Sequence, residues 1–290
     1  MLVTPLPGTR VPDLIRALEH QHTQLSNIRG SGGSTQAQYD NYVQWVAFTD
    51  QALRNHIRGS DLDRLLLTRR QWALQTYPPG PYPQGDTALR YLLTTEVDQL
   101  IVNFADTIAQ LKAQERRCDE PGRLLVADTS FYIRHPTKLA DTVIADDLDE
   151  RETPLHLMVP IVVVDELDGL KQSKDRQVRW RAGHTLGVLD AALRSGSGRG
   201  QLRPEDFTGI DAGAIPRGRV TVEILFDPPG HHRLPINDDE IIDRALAVQT
   251  LAGRRVTLIT YDTGHATRAR AAGLDVRKLT TPVDDPDAAA

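Results

Sequence analysis

Apolar residues follow two different rules along this chain, and the change falls near residue 120. In the first part they recur at helical spacing. Leu14, Ile15, Leu18, His22 and Leu25 mark a helix from Pro12 that the cluster Gly30 to Ser34 breaks. A second amphipathic helix is predicted over Gln36–Ile57, burying Tyr39, Val43, Val46 and Leu53 and stopped by Gly59. Ser60 is placed to cap a third helix carrying Leu62, Leu65 and Leu66. Tyr77 to Asp86 reads as a proline-rich loop, and a long helix follows over Thr87–Arg116 with Leu89, Val97, Leu100, Phe104 and Leu111 on its apolar side. Together these predict an α-helical bundle domain over residues 1–120. No motif in it carries chemistry. Tyr42, Trp45 and Trp72 read as packing residues and Arg69 as part of a solvated face, ahead of a binding surface. Substrate positioning or self-association into a homo-oligomer is the expected role of this region.

Asp119 to Gly122 reads as a linker, after which short apolar runs alternate with helical stretches. Strands are predicted at Leu124–Ala127, Met158–Val164, Val220–Phe226, Val256–Thr260 and around Val276. Helices are predicted from Asp165 to about Ser173, over Gln177–Arg194, Asp238–Leu251 and Thr263–Ala272. Strands separated by helices imply right-handed crossovers, so residues 121–279 are expected to form an α/β domain with a central parallel sheet of about five strands. The loops Ser195–Gly218 and Asp227–Asn237, the latter holding His231 and His232, are either plain surface connections or flexible substrate contacts. The tail, residues 280–290, is expected to be disordered.

Composition narrows the picture without deciding it. With 40% hydrophobic and 25% charged residues the chain is an ordinary globular sequence, and its net charge of -5 gives no global nucleic-acid signature. Aromatics at 5% argue against base stacking as the main binding device. Cys118 is the only cysteine, so an internal disulfide is impossible and a thiolate zinc site lacks ligands. The opening residues show no basic region followed by a long apolar run, and no later stretch approaches bilayer length. A cytoplasmic protein without membrane contact is expected.

The chemistry lies in acids at strand ends. Asp128 follows the run Leu124 to Val126, and in an open parallel sheet that end is where ligands bind. Asp165, Glu166 and Asp168 cluster in VVVDELDGL; Glu166 is taken as the metal-facing group, Asp165 as the helix cap and Asp168 as an alternative. In NDDEIIDRALAV, Asn237 is a natural cap. At 100° per residue Asp238 crowns the face of Ile241, Ile242, Ala245 and Val248, so it is favoured over Asp239. Asp262 follows the strand ending in Thr260 and repeats the setting of Asp128. Converging carboxylates repel one another and need cations or raised pKa values. An oxygen-only set selects Mg2+ or Mn2+, ions that activate water and stabilise the attacking and leaving oxygens of a phosphodiester.

The runs VADTS, VVVDELDGLK, NDDEIIDRAL and LITYDTGHATRARAAG, in this order and at these strand ends, resemble a PIN-domain nuclease over residues 123–279. The resemblance implies a three-layer α/β/α fold and metal-dependent cleavage of single-stranded RNA or structured nucleic acid. It carries the catalytic acids onto Asp128, Glu166, Asp238 and Asp262, with Asp239 as a further metal ligand and Ser130 and Thr260 as supporting hydroxyls. The doubled Asp238 and Asp239 and a chain much longer than the small bacterial toxin members are departures from the pattern.

Between the second and third acids lies the basic run KQSKDRQVRWRAGH. Lys171, Lys174, Arg176, Arg179 and Arg181 are either a solvated helix face or the approach that holds phosphates beside the acids. Arg268 and Arg270 are weaker candidates of that kind, and His265 reads first as a polar helix-start residue and second as a substrate contact. The expected function is a metal-dependent endoribonuclease. The rivals are a PIN module that binds RNA or protein without cutting, and a structure-selective DNA nuclease.

Overall fold

The computed structural model describes residues 3–280 apart from 32, 77–84, 149, 195–197, 209–212, 214 and 229, and apart from the side chains of 85 and 86. The chain divides into two compact units, one spanning Met1–Asp119 with Thr250–Gly253, the other Glu120–Gln249 with Arg254–Ala290. Most of the proline-rich loop and the expected disordered tail lie outside the described residues.

The first unit is helical: α1 (Val11–Gly30), α2 (Thr35–Leu53), α3 (Gly59–Leu66), α4 (Arg69–Thr76) and α5 (Gly85–Cys118). Proline in the first turn of α1 and the Ser34 hydroxyl accepting from the Ala37 amide at 3.2 Å start the first two helices. Leu14, Leu18, Leu25, Leu53, Leu100, Phe104 and Leu111 are among its fully buried side chains. Several expectations are corrected here. Helix α2 ends at Leu53, and Gly59 opens α3 instead of stopping α2. Ser60 is not a cap, because it sits inside α3, whose flanking residue is Arg58. On α2 the inward face carries Tyr42, Trp45 and Val46, leaving Val43 exposed, and Trp72 on α4 is exposed as well.

The second unit contains β1 (Arg123–Ala127), α6 (Thr129–Arg134), α7 (Ile144–Asp147), β2 (Leu155–Pro160), α8 (Ile161–Leu170), α9 (Arg176–Leu193), β3 (Arg199–Arg203), β4 (Val220–Leu225), α10 (Asn237–Ala252), β5 (Val256–Thr260), α11 (Thr263–Ala271) and β6 (Asp275–Lys278). The six strands lie in the order β3-β4-β2-β1-β5-β6. All pair in parallel except β3, which runs antiparallel to β4 at the edge. The chain steps from β1 to β2 and β4 in one direction, then returns to β5 on the other side of β1 and continues to β6. Right-handed crossovers in opposite directions put α6–α9 on one face and α10 and α11 on the other, giving the α/β/α layering. Leu125, Val126, Leu157, Val159, Leu258 and Ile259 are fully buried at the centre of the sheet.

Two strand assignments change. The sixth strand, β3, lies within a segment expected to be loop; it is glycine-rich and charged, and what makes it a strand is its pairing with β4. The second strand is Leu155–Pro160, and the valine run after it is helical, with Val163 and Leu167 four residues apart and buried. Pro160, with φ fixed and no N–H to donate, closes the strand and opens the helix. Among the described residues no helix is long and apolar enough to cross a membrane.

Candidate active site

The order in which strands are added reverses between β1 and β5, which run parallel, and this is the crevice where open α/β sheets bind ligands. Both strands deliver an aspartate to it. Pairing runs through Ala127 and Ile259 to an Asp128 N–H···O=C Ile259 bond of 3.2 Å. Asp128 caps α6, accepting from the Phe131 amide at 3.0 Å, and Asp262 caps α11, accepting from the His265 amide at 2.9 Å. Glu166 arrives from the second turn of α8 and Asp238 from the first turn of α10. The four carboxylates line one cleft of about 450 Å³, with Thr129, Ser130, Leu170 and Ile241 in its wall.

Asp128, Glu166 and Asp262 are held by hydroxyl and amide donors. Asp128, only 4% exposed, accepts from the Ser130 hydroxyl at 2.7 Å and the Thr260 hydroxyl at 2.5 Å. His265 is fully buried, with Nδ1 3.1 Å from Asp128 Oδ2 and 3.8 Å from Asp238 Oδ1. Its Nε2 is buried and has no hydrogen-bond partner among the described residues. Glu166 accepts from the Thr129 hydroxyl and, at 2.7 Å, from the Asn237 amide. Asn237 is the first residue of α10 and reaches across to another helix, so it does not fill the capping role expected of it.

The carboxylates also sense one another. Burial pushes the Asp238 carboxyl above the ordinary aspartate range, and the charges of Asp262 and Asp128 push the same way against the opposing pull of His265 and Arg268. Asp262 moves down, because the backbone amides of His265 and Gly264 donate to it at a helix start.

The PIN domain family model matches residues 125–280, more than half of the 290-residue chain. This chain belongs to the PIN domain family. No curated protein matches it. PIN domains are nuclease-type, nucleic-acid-binding modules that usually use divalent metals. The donor set at the crevice of this PIN domain fits such an ion: four carboxylates, no cysteine, and a partly buried aspartate, Asp238, whose ionisation is opposed by its desolvation and by the charges of Asp262 and Asp128. Asp128, Glu166, Asp238 and Asp262 are the residues that would hold it.

Around the cleft the structure sorts the other acids and the cations. Asp165 is exposed and paired with Arg233 at 2.6 Å, and Pro160, not Asp165, flanks the start of α8. Asp168 is exposed and paired with Lys171 at 2.5 Å. Asp239 does not line the cleft; one step around α10 from Asp238, it lies 3.4 Å from Arg268. Arg268 also stands 3.6 Å from Asp238, so it bridges two acids. Lys174, Arg176 and Arg179 are exposed on and before α9, as is Arg270 on α11. Arg181 is not: it is 6% exposed and donates to the carbonyls of His135 and Pro136, leaving it no part in phosphate contact. Its place on the inward face of α9 is set by neighbours from α6, which the basic run itself does not reveal.

Among the described residues of the PIN domain, Asp227, His231 and Glu240 bring three ligand atoms within 4.8 Å of one another, a spacing the cleft acids do not reach as a trio. Arg233 lies 2.7 Å from Asp227 and Arg244 lies 3.3 Å from Glu240, while His231 Nε2 meets Glu240 at 2.7 Å. These contacts tie the loop after β4 to α10.

Proposed function

We propose that this protein is a metal-dependent endoribonuclease that hydrolyses phosphodiester bonds of single-stranded RNA with water as the nucleophile. The observation that supports this most is that four carboxylates from four separate strand–helix junctions line one cleft at the reversal of strand order. A divalent cation, Mg2+ or Mn2+, supplies Lewis-acid activation of water and charge neutralisation at phosphorus when bound there. Asp128, Glu166, Asp238 and Asp262 hold the cation. Ser130, Thr260 and His265 fix the direction of the Asp128 carboxylate, and Thr129 and Asn237 do the same for Glu166. Lys174, Arg176 and Arg179 stand exposed just beyond α8 and meet the phosphates of the incoming strand. The choice of RNA rests on the resemblance of the four motifs to PIN-domain nucleases.

The test is a panel of labelled RNA and DNA oligonucleotides, single and double stranded, with Mg2+, Mn2+ or EDTA. Single-stranded RNA is expected to be cut with either metal, and Asp128→Asn is expected to abolish cutting while keeping the circular dichroism and thermal transition of the wild type. Binding without cutting would make the domain a non-catalytic module, and cutting of structured DNA alone would reassign the substrate. Turnover persisting in EDTA, or in the Asp128→Asn protein, would defeat the proposal.

A further inference from the structure

Helix α9 buries Arg181, Ala182, Thr185 and Leu189 and turns the opposite face to solvent. On that face Trp180, Gly183, His184 and Gly187 follow one another at i, i+3, i+4 and i+7, with Arg176 one turn earlier. Trp180 is 56% exposed, an unusual setting for the largest apolar side chain. One side of its indole stacks on the His184 imidazole, with ring centroids 5.1 Å apart and planes 11° from parallel. His184 Nε2 is buried and has no hydrogen-bond partner among the described residues.

The two glycines give the second observation. Both lie inside a helix, where glycine is a poor residue, and a Cβ at either would meet nothing within 4 Å. Close packing therefore does not require them. What they leave is open surface on the helix face that carries the indole.

The charge around the ring is positive. Lys174, Arg176 and Arg179 are exposed just before α9 and in its first turn, ahead of Trp180. The nearby acids are already engaged: Asp175 accepts from the Gln177 and Val178 amides, and Asp141 pairs with Lys138 at 3.4 Å. Through its opposite, buried face α9 is tied to an element that carries cleft residues. Arg181 joins α9 to the carbonyl that ends α6, and α6 begins with the cleft residues Thr129 and Ser130, six residues or about 9 Å away.

We infer that Trp180, backed by His184, is a stacking platform for one unpaired base of a single-stranded nucleic acid whose adjoining phosphates rest on Lys174 and Arg176. The base must come from a single strand, because a base inside a duplex has no free face to offer. This rests on the nucleic-acid reading of the cleft and extends it to a subsite outside the acids.

The test measures binding of a fluorescently labelled single-stranded 12-mer by anisotropy in EDTA, so that no cutting intervenes. Trp180→Ala is expected to weaken binding roughly tenfold or more, and Trp180→Phe to retain most of it. In a series of strands with one abasic position moved along the sequence, one position is expected to lower wild-type affinity without lowering that of Trp180→Ala. Gly183→Leu fills the open surface: its thermal transition is expected to rise while its affinity falls, which a folding defect cannot produce. Equal affinity of wild type and Trp180→Ala, an abasic penalty that persists without the indole, or absence of any binding by the wild type would overturn the platform. Indole-dependent binding by a protein that cuts nothing with any metal would leave the platform standing and remove the nuclease reading; cutting with no effect at Trp180 would do the reverse.

Discussion

His265 Nδ1 stands 3.1 Å from Asp128 Oδ2 across 137 residues of sequence, and both side chains are shut away from solvent. The histidine lies in the first turn of α11, after β5, and the aspartate follows the last residue of the neighbouring β1. An imidazole in this place fixes the direction of the carboxylate from behind the cleft, on the side opposite any substrate.

Replacing His265 by leucine removes that donor and should therefore lower cleavage by about 10- to 100-fold through kcat and weaken metal binding in parallel. His265→Asn, which keeps a donor at similar reach, should recover part of both. Single-turnover kinetics together with calorimetric titration of Mn2+ checks this. Unchanged metal affinity in His265→Leu would show that the ring only packs.

Asp238 carries the clearest pH signature. Its carboxyl is held above the ordinary range by burial and by the charges of Asp262 and Asp128. The fold therefore favours the protonated form: that contribution to stability is present below the unfolded-state value and is lost as pH rises through the higher folded-state value. At neutral pH the ionised group opposes folding. Asp238→Asn should raise the midpoint of thermal unfolding at pH 7, with the gain vanishing in acid, and should abolish cleavage. In the wild type, activity should fall as pH is lowered through the raised Asp238 value. A thermal midpoint in Asp238→Asn that is unchanged at pH 7 would contradict the repulsion.

At the sheet edge, Gly200 in β3 presses against the last turns of α9. A Cβ there would lie 1.8 Å from the Ala192 carbonyl oxygen, an atom of helix backbone that cannot swing aside. Gly200→Ala should cost roughly 2 kcal/mol or more through forced separation of strand and helix. For a unit of this size that lowers the thermal midpoint by about 4–8 °C. A calorimetric scan decides it, and a midpoint within experimental scatter of the wild type would show that the edge strand yields freely.

Periodicity alone carried a large share of this protein. Residues 3.6 apart and residues two apart declare helix and strand through local geometry. The alternation after residue 122, the placement of Asp128 and Asp262 at strand ends, and the inward face of α10 with Asp238 at its crown were therefore legible from the chain. Folding decided what depends on partners far away in sequence. The valine run after Pro160 became a helix because buried surroundings accept β-branched residues in either form, and β3 became a strand only by pairing with β4. Glu166 was selected over Asp165 and Asp168 by where α8 lies, Arg181 was drawn inward by two carbonyls near α6, and His265 was placed behind Asp128 by the pairing of β1 with β5. Burial of a long polar side chain depends on donors and acceptors from other segments, and a one-dimensional pattern holds no record of those distances.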